Sequence, residues 1–71
     1  MSEMLIDCRA KSEVDAARTV VERYDALAPG ERAEALLASY PPHTRMWLLE
    51  AGIRHVPKHD ADGAWHLDFV R

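Results

Sequence analysis

Prolines and glycines punctuate this chain, and every segment after the first break is too short for more than a single helix or a single strand. The breaks fall at Pro29-Gly30, Pro41-Pro42, Gly52, Pro57 and Asp62-Gly63. Proline fixes φ and lacks an N–H, while glycine admits the positive φ of turns and helix ends, so each marks a boundary. What remains is to assign each segment between the breaks.

Ahead of the first break, Met4-Leu5-Ile6-Asp7-Cys8 is an apolar run too brief for a helix before the charged Arg9-Ala10-Lys11. It reads as a buried first strand. Ser12 then opens Ser-x-x-Asp, in which the hydroxyl accepts an orphan N–H and Asp15 sits at the positive end of a helix. Val14, Ala17, Val20, Val21, Tyr24 and Leu27 recur at spacings of three and four, opposite Glu13, Arg18, Glu22 and Arg23. One amphipathic helix over about residues 13 to 27 is the consequence.

Residues 31 to 40 are ambiguous. Their Ala, Leu and Glu content favours helix, yet Ala33, Ala35 and Leu37 alternate as in a strand. Local sequence slightly prefers helix. After Pro41-Pro42, His43 to Gly52 forms a second helix with Met46, Leu49 and the neighbouring Trp47 expected to face inward and Gly52 as its cap. Pro57 bars residues 53 to 59 from a helix interior and suits an edge strand. Asp60-Ala61-Asp62-Gly63 supplies hairpin-turn chemistry, and Trp65, Leu67 and Phe69 alternate with His66, Asp68 and Val70 in a closing strand.

Seventy-one residues suffice for one domain, spanning 1–71, and 48% hydrophobic residues provide a core without staples. Cys8 is the only cysteine, which excludes an internal disulfide and a Cys-based zinc site within one chain. The formal charge is −3 with both signs interspersed, which disfavours nucleic acid. Residues 1 to 4 have no basic n-region, and no apolar run suffices to span a membrane. A cytoplasmic protein is expected.

Leu5-Ile6-Asp7-x-Arg9 before a helix, Leu27-Ala28-Pro29-Gly30-Glu31 after it, and a closing strand with Trp65 together resemble a branch of the TusA/SirA-like superfamily, bacterial-type domains of unknown function. The resemblance covers almost the whole chain through short motifs. It implies that residues 31 to 38 form a strand, against their helical propensity. It also implies an α/β two-layer sandwich of order β-α-β-α-β-β, with a four-stranded mixed sheet and both helices on one face. TusA-type carriers hold a persulfide on the cysteine of a Cys-Pro-x-Pro motif at the start of the first helix, where the helix N-terminus lowers the thiol pKa. The corresponding stretch here, Lys11-Ser12-Glu13-Val14-Asp15, has neither Cys nor Pro. Cys8 lies earlier and does not take over that role by position.

Cys8 in a buried strand reads as a small apolar filler; as a reactive thiol it would need exposure and a nearby cation. Asp7 and Arg9 share a strand face and suit a structural ion pair. Trp65 is expected in the core. Three histidines fall in the last hairpin. If its turn centres between Ala61 and Asp62, His55 faces Asp68, Pro57 faces His66 and His59 faces Ala64. His55, His59, His66 and Asp68 then share the open face, with diagonal neighbours about 7–8 Å apart, within reach of one divalent ion such as zinc. A slip of one residue would scatter them.

The sequence contains no nucleophile–base–acid set, no glycine-rich phosphate loop and no paired carboxylates in an evident cleft. The expectation is a non-enzymatic interaction or regulatory module with a protein partner, a homodimer being left open. The alternatives are a sulfur or redox carrier using Cys8, or a metal-binding module using the hairpin histidines.

Overall fold

A computed structural model of the protein describes residues 4–71, and residues 1 to 3 lie outside the described residues. The elements are β1 (Met4–Asp7), α1 (Glu13–Ala26), β2 (Arg32–Leu37), α2 (Pro42–Glu50), β3 (His55–His59) and β4 (Trp65–Val70). The strands form one mixed sheet of order β1-β2-β4-β3, in which β1 and β2 run parallel and the other neighbours antiparallel. This is the β-α-β-α-β-β architecture expected above. No helix among the described residues is long and apolar enough to cross a membrane.

Each cap follows from the local sequence. Ser12 Oγ accepts the Asp15 N–H at 3.2 Å at the start of α1. Past its end, Pro29-Gly30 turns the chain with Gly30 at φ 86°, and the Glu31 carboxylate accepts the Ala28 N–H at 2.6 Å. α2 starts with Pro42 in its first turn, where a missing N–H costs nothing. At its other end the Gly52 N–H reaches Leu49 O at 3.0 Å and the Ile53 N–H reaches Leu48 O at 2.9 Å. With Gly52 at φ 81° this is a Schellman cap, and its two apolar partners, Leu48 and Ile53, are both fully buried.

β2 overrides its own helical propensity because its alternation fits the sheet. Ala33, Ala35 and Leu37 are buried, as are Leu67 and Phe69 of β4 and Ile6 of β1. These residues line the helix-covered face of the sheet and meet Ala16, Val20 and Leu48 in one core. Small alanines on β2 leave room for the helices to approach the sheet closely. Arg71 ties the chain end back to α1: its Nη1 donates to Asp25 O at 2.6 Å and to Leu27 O at 3.2 Å. A cation on these carbonyls satisfies acceptors that a helix C-terminus leaves unpaired.

The α1 stripe holds at Ala17, Val20 and Leu27, with Val21 and Tyr24 packed against the core, and differs from expectation only at its start, whereas the α2 stripe is turned. In α1 the buried residues are Ala16, Ala17 and Val20, while Val14 is exposed. In α2, Thr44 and Leu48 are buried, whereas Met46 and Leu49 are exposed and Trp47 stays at 36% exposure. Successive helix residues turn by about 100°, so seating Leu48 in the core turns Met46 to the opposite side. The cap decides the rotation, because Ile53 packs inward only when Leu48 does.

Candidate functional site

The last hairpin carries most of the polar chemistry, and its register differs from expectation by one residue. Asp60 N donates to Ala64 O at 2.8 Å and Gly63 N to Asp60 O at 3.1 Å, enclosing a three-residue loop that ends on Gly63 at φ 93°. The expected two-residue turn would have paired His55 with Asp68. Instead His55 faces Phe69, Pro57 faces Leu67 and His59 faces Trp65. Because side chains alternate, the slip sends His55 and His59 to the helix side and leaves His66 and Asp68 on the open face. The four residues therefore do not converge, and among the described residues no group of three or more His, Cys, Asp and Glu is placed to hold a metal ion.

On the helix side, the His55 ring donates from Nδ1 to Ile53 O at 3.1 Å, so Nε2 is free to accept. Tyr40 Oη donates to that Nε2 at 2.5 Å. Burial pushes the Tyr40 phenol up from its ordinary value, and the Arg45 charge opposes the shift. Tyr40 also packs on Trp65 with ring centroids 5.3 Å apart, and His59 stacks on Trp65 at 4.4 Å and 11°. Trp65 is thus half-buried at the rim between Tyr40 and His59 rather than enclosed in the core.

On the open face, His66 lies between two carboxylates. Its Nδ1 is 2.6 Å from Glu34 Oε1 on the neighbouring strand, and its Nε2 bonds Asp60 at the loop. Both ring nitrogens must donate to make both bonds, which favours the imidazolium. The hydrogen bond to Glu34 and then that to Asp60 raise the His66 pKa above its ordinary value. Lys58 Nζ lies 3.5 Å from Asp68 beside this trio. Around His66 the open face therefore carries paired charges.

Cys8 lies one residue past β1, its N–H donating to Leu36 O at 2.8 Å. It is 1% exposed, and burial, the largest influence, pushes its thiol pKa up despite the Lys11 charge. A thiol in this state is a poor nucleophile. Asp7 and Arg9 on either side make a bidentate pair, with Arg9 Nε 3.0 Å from Asp7 Oδ1 and Nη2 2.8 Å from Oδ2. That contact holds the Asp7 carboxyl at about 2.

A small polar group beside Cys8 escaped the sequence reading. Glu13, at the N-terminus of α1, lies 2.8 Å from His43 Nε2 and accepts the Ser39 hydroxyl at 3.5 Å. The carboxylate stands between serine and histidine, so no imidazole is positioned to take the hydroxyl proton. The group therefore joins the starts of α1 and α2 and is not a nucleophilic triad. Only the topology, which brings the ends of β1 and β2 together, could have revealed it. The adjoining cleft holds about 20 Å³, room for about one water. No protein-family model, curated protein or solved structure matches the chain.

Proposed function

We propose that the chain is a non-enzymatic interaction or regulatory module on a TusA-like scaffold, and that it docks a protein partner through α2. The observation that supports this reading is the outward face of that helix. Met46, Trp47 and Leu49 are 52%, 36% and 43% exposed, so a nine-residue helix turns three large apolar side chains to solvent while burying only Thr44 and Leu48. Arg45 borders Leu49 at one edge, and Glu50, one turn on from Met46, lies within the exposed face. Large exposed apolar side chains with a tryptophan among them, interspersed with charges, are the composition of a protein-docking patch. The partner accordingly presents an apolar pocket for Trp47, bordered by charges opposite to Arg45 and Glu50.

The test is co-purification from cells that produce the chain, followed by titration of the purified partner. Wild type is expected to retain one partner stoichiometrically, and Met46→Glu combined with Trp47→Glu to lose it while keeping the wild-type circular dichroism spectrum. Clear turnover of some substrate without any reproducible partner would end this reading. So would equal retention by the double variant.

Sulfur transfer through Cys8 has no comparable support. The thiol is buried, its pKa is raised, and Glu13 stands at the start of α1 where a carrier holds its cysteine.

A further inference from the structure

The open face of the sheet holds a shallow groove of about 510 Å³, within the range of small-molecule sites. Arg32, Arg54, Val56 and Val70 are among the residues that line it, together with Glu34 and Asp68. Arg32 faces Val70 across β2 and β4. Arg54 immediately precedes His55, which faces Phe69, so it lies level with Val70 on the other side. Two guanidinium-bearing residues therefore flank one exposed valine, Arg32 on β2 and Arg54 just ahead of β3.

The charges of the groove are unequally compensated. Glu34 is 2.6 Å from His66, and Asp68 is 3.5 Å from Lys58. Among the described residues, Arg32 and Arg54 make neither an ion pair nor a side-chain hydrogen bond. Among the described residues, the acids of the groove are thus engaged and its two arginines are unpaired. Beside them, Val56 and Val70 are 57% and 45% exposed, an apolar floor without a cover.

We propose that this groove binds a small organic anion, its carboxylate or phosphate held between Arg32 and Arg54 and its apolar body lying on Val56 and Val70. Guanidinium groups suit this role because they donate several hydrogen bonds in a plane and stay charged at every working pH. The valine floor supplies the preference for an organic anion over a bare inorganic one. The site lies on the open sheet face, whereas α2 lies on the helix-covered side, so it is independent of the docking reading.

Phenyl phosphate and benzoate serve as probes, with benzyl alcohol as the neutral control and inorganic phosphate as the anion without a body. Titration followed by amide NMR is expected to shift Arg32, Arg54, Val56 and Val70 and to leave α2 unmoved. Arg32→Gln and Arg54→Gln should each weaken binding about tenfold, the loss of one charge-assisted contact, while Arg18→Gln leaves it unchanged. Preference for phenyl phosphate or for benzoate identifies the acidic group. No shift at millimolar probe, equal affinity for benzyl alcohol or for inorganic phosphate, or undiminished binding by both arginine variants would overturn the proposal. An acidic peptide that binds far more tightly than either probe would overturn it too, by reassigning the face to a protein ligand.

Discussion

His66 on β4 places Nδ1 2.6 Å from Glu34 Oε1 on β2 while its other nitrogen bonds Asp60 at the hairpin loop. One side chain thereby joins two strands and a turn, and it does so best when protonated. Because folding raises the His66 pKa above its ordinary 6.5, the folded chain holds this proton more tightly than the unfolded one. The contribution is complete below about pH 6.5 and is lost as pH rises through the raised folded value. Urea midpoints measured from pH 5 to 9 should fall with pH in wild type relative to His66→Gln. A wild-type midpoint that rises relative to the variant across that window would contradict the arrangement.

Cys8 should behave as packing material. Ellman's reagent is expected to leave it unmodified in the folded chain and to label it rapidly in denaturant, since it is 1% exposed with a raised pKa. Incubation with a sulfurtransferase and cysteine should leave no persulfide on Cys8 by mass spectrometry. Replacing it with serine buries a hydroxyl among Ala16, Leu37 and their neighbours and should cost about 1–3 kcal/mol. Rapid labelling of the native protein would show that the thiol opens to solvent.

The rotation of α2 gives a sharp contrast between adjacent positions. Leu48→Ala empties a fully buried site and should cost about 2–5 kcal/mol in chemical denaturation. Met46→Ala, on the outward side, should change stability by no more than about 0.5 kcal/mol. The reverse order would restore the orientation expected from sequence.

What was legible in the residues was the division into elements, because Pro and Gly punctuate and the caps announce themselves; the strand state of β2 was not, since its local sequence prefers helix and only the TusA-like resemblance implied a strand. Ser12 before α1, Gly52 after α2, and the alternation of Trp65, Leu67 and Phe69 all appear in the fold as read. Other features were not legible either. Met46, Leu49 and Leu48 are all apolar, so periodicity could not choose the inward face; the pairing of Leu48 with Ile53 chose it. Asp60-Ala61-Asp62-Gly63 fits a two-residue or a three-residue loop equally well by composition, and the difference moves His55 and His59 to the other side of the sheet. The Glu13–His43 contact depends on two helix starts converging in space, which no local pattern encodes.

Gly63 is the residue that holds this register. Its φ of 93° lies where L side chains are strained, although a Cβ there would meet nothing within 4 Å. The cost of substitution is therefore conformational rather than steric. Gly63→Ala should destabilise by about 1–2 kcal/mol, and Gly63→Asn by less, because asparagine visits the left-handed region more readily. The Asp62 carboxylate accepts the Ala64 N–H at 3.1 Å and supports the same loop. Two-dimensional NMR should further show, in Gly63→Ala, line broadening that begins at Asp60 and His66 and spares α1, since the loop positions the Asp60 carboxylate against His66. A variant as stable as wild type, with unchanged Asp60 and His66 signals, would show that the loop does not need this glycine and that the register is held by cross-strand packing alone.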